Sequence, residues 1–378
     1  MTKENKNVKK FPNSGNIPKL RFSEFTEEWE VKKLGEICKM QAGKFVSASE
    51  ILKETDDKLY PCYGANGLRG FTYSYNYEGE YSLIGRQGAL CGNVTRVNDK
   101  FYATEHAVVV TPKDNVHSVW LFYLLNYLNL NQYATGMAQP GLSVHNLLEV
   151  ESIMANSIDE QYKTASLLTL IDTRILTQRK IISQLKSQMS NLKDLIFEQK
   201  LRFTDDKENE FPDWQESKLE DICEKQSSSI SANKIEDNIG DYPIYGATGI
   251  LKNIDFYEVE NDYISIIKDG AGVGRLLYCE GKSSVLGTLD IIQSKNVKLY
   301  FIFLLLSRID FKKYITGSTI PHIYFKDYKK EKFQIPSIEE QEKIANFFKS
   351  LDDKINLEND LLIQFENQKK YLLQNLFV

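Results

Sequence analysis

The sequence predicts an α/β (α+β) protein built from two tandem copies of one globular domain, each copy followed by a long helix. Two observations lead to this prediction. Short motifs recur along the 378-residue chain at offsets between 180 and 185 residues. Each copy also ends in about 40 residues without Gly or Pro, in which apolar side chains recur at steps of three and four. A repeat this long indicates a duplicated domain rather than a solenoid unit.

The positions of the repeated motifs divide the chain into five segments. We expect a disordered N-terminal tail at 1–16, a first globular domain at 17–155, a long helix at 156–200, a second globular domain at 201–335 and a second long helix at 336–378. At this length, each globular domain can bury a core of its own.

Within each copy the predicted elements follow the same order. A short helix is expected to begin near Trp29 or Trp214. Closely spaced glycines and β-rich runs such as 81–84 and 263–267 then predict a region of strands and turns. A compact helical stretch, a Gly/Pro loop and a short strand lead to the long helix, which Ser157 and Glu160 open at the spacing of a capping box.

The two long helices carry the same apolar seam, which favours pairing with each other inside one chain. The seam positions are Leu168, Ile171, Ile175, Ile182, Leu185 and Leu192 in the first helix, and Phe348, Leu351, Ile355, Leu362, Phe365 and Leu372 in the second. Gln178 and Glu358 interrupt the two seams at the same step. Two equivalent halves favour an antiparallel intramolecular coiled coil with pseudo-two-fold symmetry. The alternative is that each helix packs only on its own globular neighbour.

Composition excludes several classes of protein but favours no partner. The net charge of −5 argues mildly against a nucleic-acid binder, and the five Cys form no C-x-x-C pair that would indicate a zinc site. No apolar run approaches the length of a membrane span, and the first residues do not resemble a signal peptide. We therefore expect a cytoplasmic protein that does not bind a membrane.

No residue pattern nominates a catalytic group. The four His are scattered without metal-ligand spacing, so no metal site is expected. The segment 281–283 resembles the end of a phosphate loop, but Leu276 stands where that motif requires Gly. The glycines at 270, 272 and 274 fit a tight turn better than a dinucleotide site.

Two polar loops recur instead. The first is 63–70 with its counterpart 245–252, and the second is 135–145 with its counterpart 316–326. Their donors and acceptors include Asn66, Arg69, Gln139, Thr248, Lys252 and His322. Base edges in the DNA major groove require such groups, with Arg or Lys suited to guanine and Asn or Gln to adenine. Basic residues also cluster between Arg308 and Lys332, where a solvated surface is the simpler interpretation.

The ordered set of motifs resembles the specificity subunit of type I restriction-modification systems. The resemblance covers nearly the whole chain after Ile17. The motifs are Leu20-Arg21-Phe22 with Trp29-x4-Leu34-x2-Ile37, Tyr63-Gly64-Ala65-x-Gly67, Leu83-Ile84-Gly85-Arg86-x-Gly88-Ala89, Ala103-Thr104-x-His106-Ala107, Thr135-Gly136-x3-Pro140-Gly141-Leu142-Ser143, and Ser157-Ile158-x-Glu160-Gln161. Most of these recur in the second copy.

The resemblance implies that each globular domain is a target-recognition domain that reads one half of a bipartite, interrupted DNA sequence. The residues we expect to contact DNA are Tyr63, Asn66, Arg69, Arg86, Gln87, Gln139, Ser143, His145, Tyr245, Thr248, Lys252, Lys268, Ser318, Thr319, His322, Tyr324 and Lys326. The paired helices would set the distance between half-sites, since about 30 helical residues span roughly 45 Å.

The partners implied by the resemblance are double-stranded DNA, two modification (methyltransferase) subunits docked on the helices, and restriction (translocase/nuclease) subunits held through the complex. The chain itself would not be an enzyme and would hold no cofactor. S-adenosylmethionine, ATP and Mg would be bound by the partner chains, which would methylate adenine and cleave DNA.

The second copy departs from the motifs in places. Lys268-Asp269 replaces Arg86-Gln87, and His322-Ile323 replaces Gly141-Leu142. Such divergence is expected if the two domains read different half-sites. Two alternatives stay open: a bivalent protein scaffold that never touches DNA, and a nuclease or methyltransferase with an unrecognised site.

Overall fold

Each copy of the repeat forms strands and short helices, and a long helix follows each copy. The structure is a computed structural model that describes residues 15–88, 90–136 and 140–378. The predicted tandem α/β fold with two long helices is confirmed. The predicted tail at 1–16 lies outside the described residues except for Gly15 and Asn16.

The elements of the first copy run from Glu30 to Met154. They are β1 (Glu30–Lys33), α1 (Leu34–Ile37), β2 (Cys38–Ala42), β3 (Tyr60–Gly64), β4 (Gly67–Thr72), β5 (Tyr77–Glu78), β6 (Tyr81–Gly85), β7 (Val94–Val97), β8 (Lys100–Ala103), β9 (Ala107–Pro112), α2 (Ser118–Tyr127), α3 (Val144–Leu148) and β10 (Glu151–Met154). Short 3-10 helices lie at Ala48–Glu50 and Leu130–Tyr133. The first long helix, α4, spans Ile158–Phe197.

The second copy repeats this order with one strand fewer among the described residues. Its elements are β11 (Gln215–Lys218), α5 (Leu219–Ile222), β12 (Cys223–Ser227), β13 (Tyr242–Gly246), β14 (Gly249–Ile254), β15 (Tyr263–Ile267), β16 (Leu276–Cys279), β17 (Ser284–Val285), β18 (Leu289–Ser294), α6 (Leu299–Leu306), α7 (Phe325–Tyr328) and β19 (Lys332–Ile335). The 3-10 helices are Ala232–Ile235 and Phe311–Tyr314. The second long helix, α8, spans Ile338–Asn375.

The strands pair in the same way in both copies. A two-stranded sheet joins the first and last strands of each copy, in the orders β1-β10 and β11-β19. A four-stranded antiparallel sheet has the order β2-β9-β6-β7 in the first copy and β12-β18-β15-β16 in the second. The remaining sheets have the orders β4-β3-β8-β5 and β14-β13-β17.

The short helix expected near Trp29 begins later than predicted. The residues after Trp29 form strand β1, because their backbone pairs in antiparallel register with β10, from Glu30 opposite Met154 to Lys33 opposite Glu151. Only the next four residues, Leu34–Ile37, are helical. The second copy shows the same arrangement at 215–222. Long-range strand pairing therefore overrides the local helical pattern.

The first turn of α4 ties the start of the first copy to the long helix. The Glu160 carboxylate is buried and accepts hydrogen bonds from Arg21 Nε at 2.7 Å, from Arg21 Nη2 at 2.9 Å and from Trp29 Nε1 at 3.1 Å. The expected capping box is therefore only half formed: Ser157 Oγ accepts from Glu160 N at 3.4 Å, but the Glu160 side chain is committed elsewhere.

The second copy repeats this buried cluster. The Glu340 carboxylate accepts from Arg202 Nε at 3.2 Å and Nη2 at 2.8 Å, and from Trp214 Nε1 at 3.0 Å. The repeated motifs that contain Arg202 and Trp214 thus meet the motif that contains Glu340, more than 100 residues further along the chain, in one hydrogen-bonded structure. Their recurrence reflects folding rather than chemistry at a site.

The chain divides into two compact units, and each long helix contributes to both. Unit 1 comprises 1–180 and 360–378, and unit 2 comprises 181–359. In unit 1, Asp172 on α4 pairs with Lys369 on α8 at 2.6 Å, and Arg179 pairs with Glu366 at 2.6 Å. Since the numbers rise along one helix as they fall along the other, these two segments run antiparallel.

The end of each long helix completes the core of the other copy. In unit 1, Phe377 packs against Trp29 and Trp120 with ring centroids 6.2 and 5.6 Å apart. In unit 2, Phe197 packs against Trp214 and Phe301 at 6.1 and 5.5 Å. The two sets occupy equivalent positions, so each copy needs the helix that follows the other copy to close its core.

The predicted seam positions are buried or half-buried throughout. Fully buried members are Leu168, Ile171, Ile175, Ile182, Phe348 and Ile355, and half-buried members are Leu185, Leu192, Leu351, Leu362, Phe365 and Leu372. Leu168 packs in the core of unit 1 beside Leu372, while Phe348 packs in the core of unit 2 beside Leu192. Gln178 is also buried. In the described part of the chain, no helix has the length and apolar character needed to cross a membrane.

Candidate nucleic-acid interface

The loop that follows β6 and the loop that precedes α3 meet at a junction in unit 1. Thr135 and Gly141 exchange two backbone hydrogen bonds of 2.9 Å, which closes the second polar loop. Gly88 N donates to Pro140 O at 3.1 Å, and Leu142 N donates to Arg86 O at 2.9 Å. We call residues 86–88 with 135–136 and 140–143 the first loop junction.

Unit 2 has the same junction in its backbone. Thr316 and His322 exchange hydrogen bonds of 2.9 and 2.8 Å, Gly270 N donates to Pro321 O at 2.9 Å, and Ile323 N donates to Lys268 O at 3.0 Å. We call residues 268–270 with 316–324 the second loop junction. Glycine is required at 88 and 270, where φ is +83° and +87°.

A hairpin turn lies beside each junction. In unit 1 the turn joins β3 to β4, and a Cβ placed on Gly85 would lie 1.9 Å from the carbonyl oxygen of Ala65 in that turn. Only glycine at position 85 therefore allows this close approach. In unit 2 the equivalent position is Ile267, and Arg275 Nη1 instead donates to Ala247 O at 3.1 Å. Different contacts thus anchor the two turns.

Arg86 in the first loop junction and Glu105 in the turn before β9 each have a polar atom that lacks a partner among the described residues. Arg86 Nε and Glu105 Oε2 are buried, and neither makes a hydrogen bond to any residue that the structure describes. Buried polar atoms are nearly always hydrogen-bonded, so each exception calls for an explanation. His106, which pairs with Glu105 at 3.1 Å, lines a cavity of about 260 Å³ together with Arg69 and the hairpin turn.

The second loop junction borders a larger cleft, of about 760 Å³. Its lining is highly charged, with five Lys (225, 268, 295, 326 and 329) and the four carboxylates of Glu220, Glu224, Asp269 and Asp290. At the edge of the cleft, the Lys326 ammonium lies 5.1 Å from the centroid of the exposed Tyr324 ring. The cleft can therefore offer both donors and acceptors to a ligand.

The floor of this cleft is a network around Asp290. The carboxylate is 4% exposed and its Oδ1 accepts from Ser227 Oγ at 2.9 Å and from Lys268 Nζ at 3.0 Å, while Lys225 Nζ lies at 3.8 Å. Of these residues only Lys268 was expected from the sequence. Asp290, Ser227 and Lys225 were missed because they meet only through the register of β12 and β18, which no local pattern encodes.

Four of the residues expected to contact DNA make contacts inside the protein. Tyr63 and Tyr245 pack in the cores of their units, and burial raises the pKa of both phenols. The Lys252 ammonium donates to the carbonyls of Ile235 at 3.0 Å and Glu236 at 2.9 Å. Ser143 Oγ caps α3 by accepting from Asn146 N at 3.0 Å. Their surroundings favour a role in shaping the loops.

The other expected residues lie in the hairpin turns and loop junctions or on the elements that directly adjoin them. Exposed ones are Asn66, Arg69, His145, Thr248, Ser318, Thr319, Tyr324 and Lys326. Half-buried ones are Arg86, Gln87, Lys268 and His322, all within the two loop junctions. Gln139 lies outside the described residues. The structure thus brings the second polar loop together with the end of β6 near Arg86 in unit 1 and its counterpart with the end of β15 near Lys268 in unit 2. Motif spacing alone did not predict this arrangement.

The basic cluster between Arg308 and Lys332 is partly neutralised within unit 2. Arg308 pairs with Asp194 at 2.8 Å, Lys329 with Glu220 at 2.6 Å and Lys332 with Glu216 at 2.8 Å. These lysines and this arginine therefore contribute less to an anion-binding surface than their number suggests. Lys326 remains exposed at the cleft.

The structure offers no candidate for metal or thiol chemistry in its described part. Within residues 15–88, 90–136 and 140–378, no three His, Cys, Asp or Glu residues converge to hold a metal ion. All five Cys are buried free thiols, and burial raises the pKa of Cys38 and Cys279 to about 12. A thiol held protonated in this way is a poor nucleophile.

Known proteins resemble both copies of the repeat. The sequence model of the type I restriction modification DNA specificity domain matches residues 26–187 and 212–367. The type I restriction enzyme EcoprrI specificity subunit of Escherichia coli is 47% identical over 155 residues, which are 41% of this chain and 38% of that protein. A putative type I restriction enzyme specificity subunit of Haemophilus influenzae is 23% identical over 82% of this chain and 85% of its own length.

The fold is also shared with a solved structure. The S subunit of a type I restriction-modification system from M. genitalium has a TM-score of 0.73 and 18% identity, with 96% of this chain and 99% of that chain covered. The sequence model covers both copies of the repeat, including most of both long helices. The chain therefore belongs to the family of type I restriction-modification DNA specificity domains, and it carries two copies of the domain in tandem.

Proposed function

We propose that this chain is the DNA-recognition subunit of a type I restriction-modification complex, in which each unit reads one half of a bipartite, interrupted target. The observation that carries the proposal is the pair of loop junctions. Their backbones are hydrogen-bonded in the same way, yet their side chains differ, with Arg86 and Gln87 replaced by Lys268 and Asp269. A backbone arrangement that both junctions share, with different polar side chains on each, suits two domains that recognise different DNA sequences.

The exposed side chains beside the junctions are of the kinds that read base edges. In unit 1 these are Asn66, Arg69 and His145, and in unit 2 they are Thr248, Tyr324 and Lys326. Asn pairs well with adenine and Arg or Lys with guanine in the major groove. The orphaned Arg86 Nε would gain a partner if DNA or a rearranged loop approached it.

The long helices suit a spacer between two readers and a platform for partner chains. An ideal helix of 40 residues, the length of α4, is roughly 60 Å long. Large apolar side chains are exposed on both helices: Leu170, Leu176, Leu357 and Ile363 are each more than half exposed. Apolar side chains exposed on a helix are available to pack against a partner chain. We propose that two modification subunits dock there and that restriction subunits join through the complex.

Catalysis is proposed to reside on those partners. S-adenosylmethionine, ATP and Mg would be bound by the modification and restriction subunits, which would methylate adenine and cleave DNA. This chain would supply the choice of sequence and no catalytic group.

Exchange of one domain tests the modular assignment. Residues 18–155 are replaced by the first globular domain of another specificity subunit, and modified sites are mapped in cells that also express the modification subunits. We expect one half-site to change while the other half-site and the gap persist. A change in both half-sites would contradict the assignment of one half-site to each unit.

Shortening both long helices tests the spacer. Deletion of seven residues from each helix, 176–182 and 356–362, removes about 10 Å of helix, equivalent to roughly three base pairs. We expect a shorter gap with both half-sites unchanged. A gap of the original length would contradict the spacer role, and a complex that modifies no DNA would show that the helices serve assembly instead.

A further inference from the structure

We infer that Asp290 is a positioning residue that holds Lys268 at the floor of the unit 2 cleft, and that the two together select a guanine-bearing base pair in the half-site read by unit 2. The inference rests on the proposed function. It adds a residue, Asp290, that lies on a sheet strand rather than in either polar loop.

The first step is geometric. Asp290 lies on β18, the inner strand of its sheet between β12 and β15, opposite Ser227 on one side and Ile266 on the other. A carboxylate 4% exposed in the middle of a sheet is costly unless it is paired and hydrogen-bonded. Lys268 Nζ at 3.0 Å and Ser227 Oγ at 2.9 Å fulfil that requirement on one oxygen. Removal of the Lys268 or Ser227 donor would leave the buried Asp290 carboxylate with fewer hydrogen-bond partners.

The second step compares the two copies at the same register. In unit 1 the equivalent of Asp290 is Val108, which lies between Ala42 and Ile84 in its sheet. The whole carboxylate network is therefore absent there, although the fold around it is the same. Asp290 is not required by the sheet, since Val suffices in its twin. It accompanies the replacement of Arg86 by Lys268.

The third step is chemical. A Lys side chain has a flexible four-carbon stem and three N–H donors, so an unrestrained ammonium recognises charge more than shape. One hydrogen bond to Asp290 fixes the direction of the stem and leaves two donors for a ligand. The side chain of Lys268 is 21% exposed and lines the cleft. Two donors from one ammonium match the O6 and N7 acceptors that guanine presents in the major groove.

The test uses the full chain in complex with its modification subunits and a pool of duplex DNA with randomised bases. Bound duplexes are sequenced for the wild type, Asp290→Asn, Asp290→Val, Lys268→Met and Lys268→Arg. Asp290→Val introduces the residue that the same sheet position carries in unit 1, so the variant should fold, and a thermal melt confirms this. Glu260→Gln is the matched control, because it removes an exposed carboxylate of unit 2 that pairs with Lys282 and does not line the cleft.

We expect the Asp290 variants and Lys268→Met to lose discrimination at one G·C position of one half-site by about tenfold or more. The double variant Asp290→Asn/Lys268→Met should lose no more than Lys268→Met alone, because Asp290 acts through Lys268. Lys268→Arg should retain most of the preference, and Glu260→Gln should retain all of it.

Three results would overturn the inference. The first is that folded Asp290→Asn and Asp290→Val keep the wild-type base preference at every position. The second is a loss of base discrimination that is spread over both half-sites. The third is an additive loss in the double variant, which would show that Asp290 acts independently of Lys268. If the wild-type complex selects no sequence at all, the proposed function itself fails, and the result is distinguishable from the other three.

Discussion

The buried cluster around Glu160 makes a quantitative prediction about unit 1. Glu160→Gln keeps the shape of the side chain but removes its charge and turns one acceptor into a donor. Arg21 Nε and Nη2 and Trp29 Nε1 donate to this carboxylate. With glutamine, at least one of these donors must lose its partner in a site where Glu160 and Trp29 are each 2% exposed.

The expected cost follows from that geometry. Breaking a buried ion pair by removing one partner costs about 3–5 kcal/mol, and we expect the lower end, about 3 kcal/mol, because glutamine retains one acceptor. For a unit of about 200 residues, each kcal/mol lowers Tm by about 2–4 °C, so the expected fall is about 6–12 °C. Differential scanning calorimetry of the full chain measures it.

Two matched variants sharpen this measurement. Glu340→Gln removes the equivalent carboxylate in unit 2 and should destabilise that unit to a similar extent, because the donors are Arg202 and Trp214 in the same geometry. Glu24→Gln breaks the exposed pair between Glu24 and Lys163, which lies about one turn after Glu160 on α4, and should leave Tm unchanged. If Glu160→Gln melts within about 1 °C of the wild type, the cluster does not stabilise the fold.

Three further predictions concern a helix cap, the core and the hairpin turn. The neutral Nδ1 of His117 accepts a hydrogen bond from Trp120 N, and burial lowers the pKa of His117. The stability that this cap contributes is therefore complete above about pH 6.5 and is lost as pH falls through the folded-state pKa of His117. His117→Asn, a non-titrating cap, should flatten that loss in unfolding curves measured between about pH 5 and 7. An unchanged pH slope would contradict this role. Phe377→Ala should lower the free energy of unfolding by about 3–5 kcal/mol and speed amide hydrogen exchange mainly in unit 1. Faster hydrogen exchange mainly in unit 2 would refute the conclusion that the end of each long helix completes the core of the other copy. Gly85→Ala should displace the hairpin turn and abolish recognition of one half-site. Gly64→Ala should not, because a Cβ at position 64 meets only ordinary van der Waals contacts. Equal binding by both variants would contradict the close approach of Gly85 to the turn.

Much of the fold could be predicted because its signals are local or repeated. The seam from Leu168 to Leu192 follows from helical periodicity, and its recurrence from Phe348 to Leu372 predicted the partner segment. The start expected for the short helix, near Trp29, was wrong because the residues after Trp29 form β1, which pairs with β10 more than 100 residues away. The capping role of Glu160 was incomplete for a similar reason, since its carboxylate accepts hydrogen bonds from the distant residues Arg21 and Trp29.

The candidate site was predicted only in part, because its residues meet through backbone register. The second polar loop and the end of β6 lie far apart in sequence, and the hydrogen bonds of Arg86 and Gly88 to the loop bring them together. The partnership of Lys268 with Asp290 was likewise invisible, since it depends on the alignment of β18 with β15. The side chains expected to contact DNA remain predictions until the target is known.

Mapping modified adenines across the genome is the measurement that tests the central claim most directly. Cells that express the modification subunits are compared with and without this chain. The account predicts one new methylated motif, with two specified half-sites and an unspecified gap between them, that appears only when the chain is present. The absence of any chain-dependent motif, or a single uninterrupted motif, would contradict it.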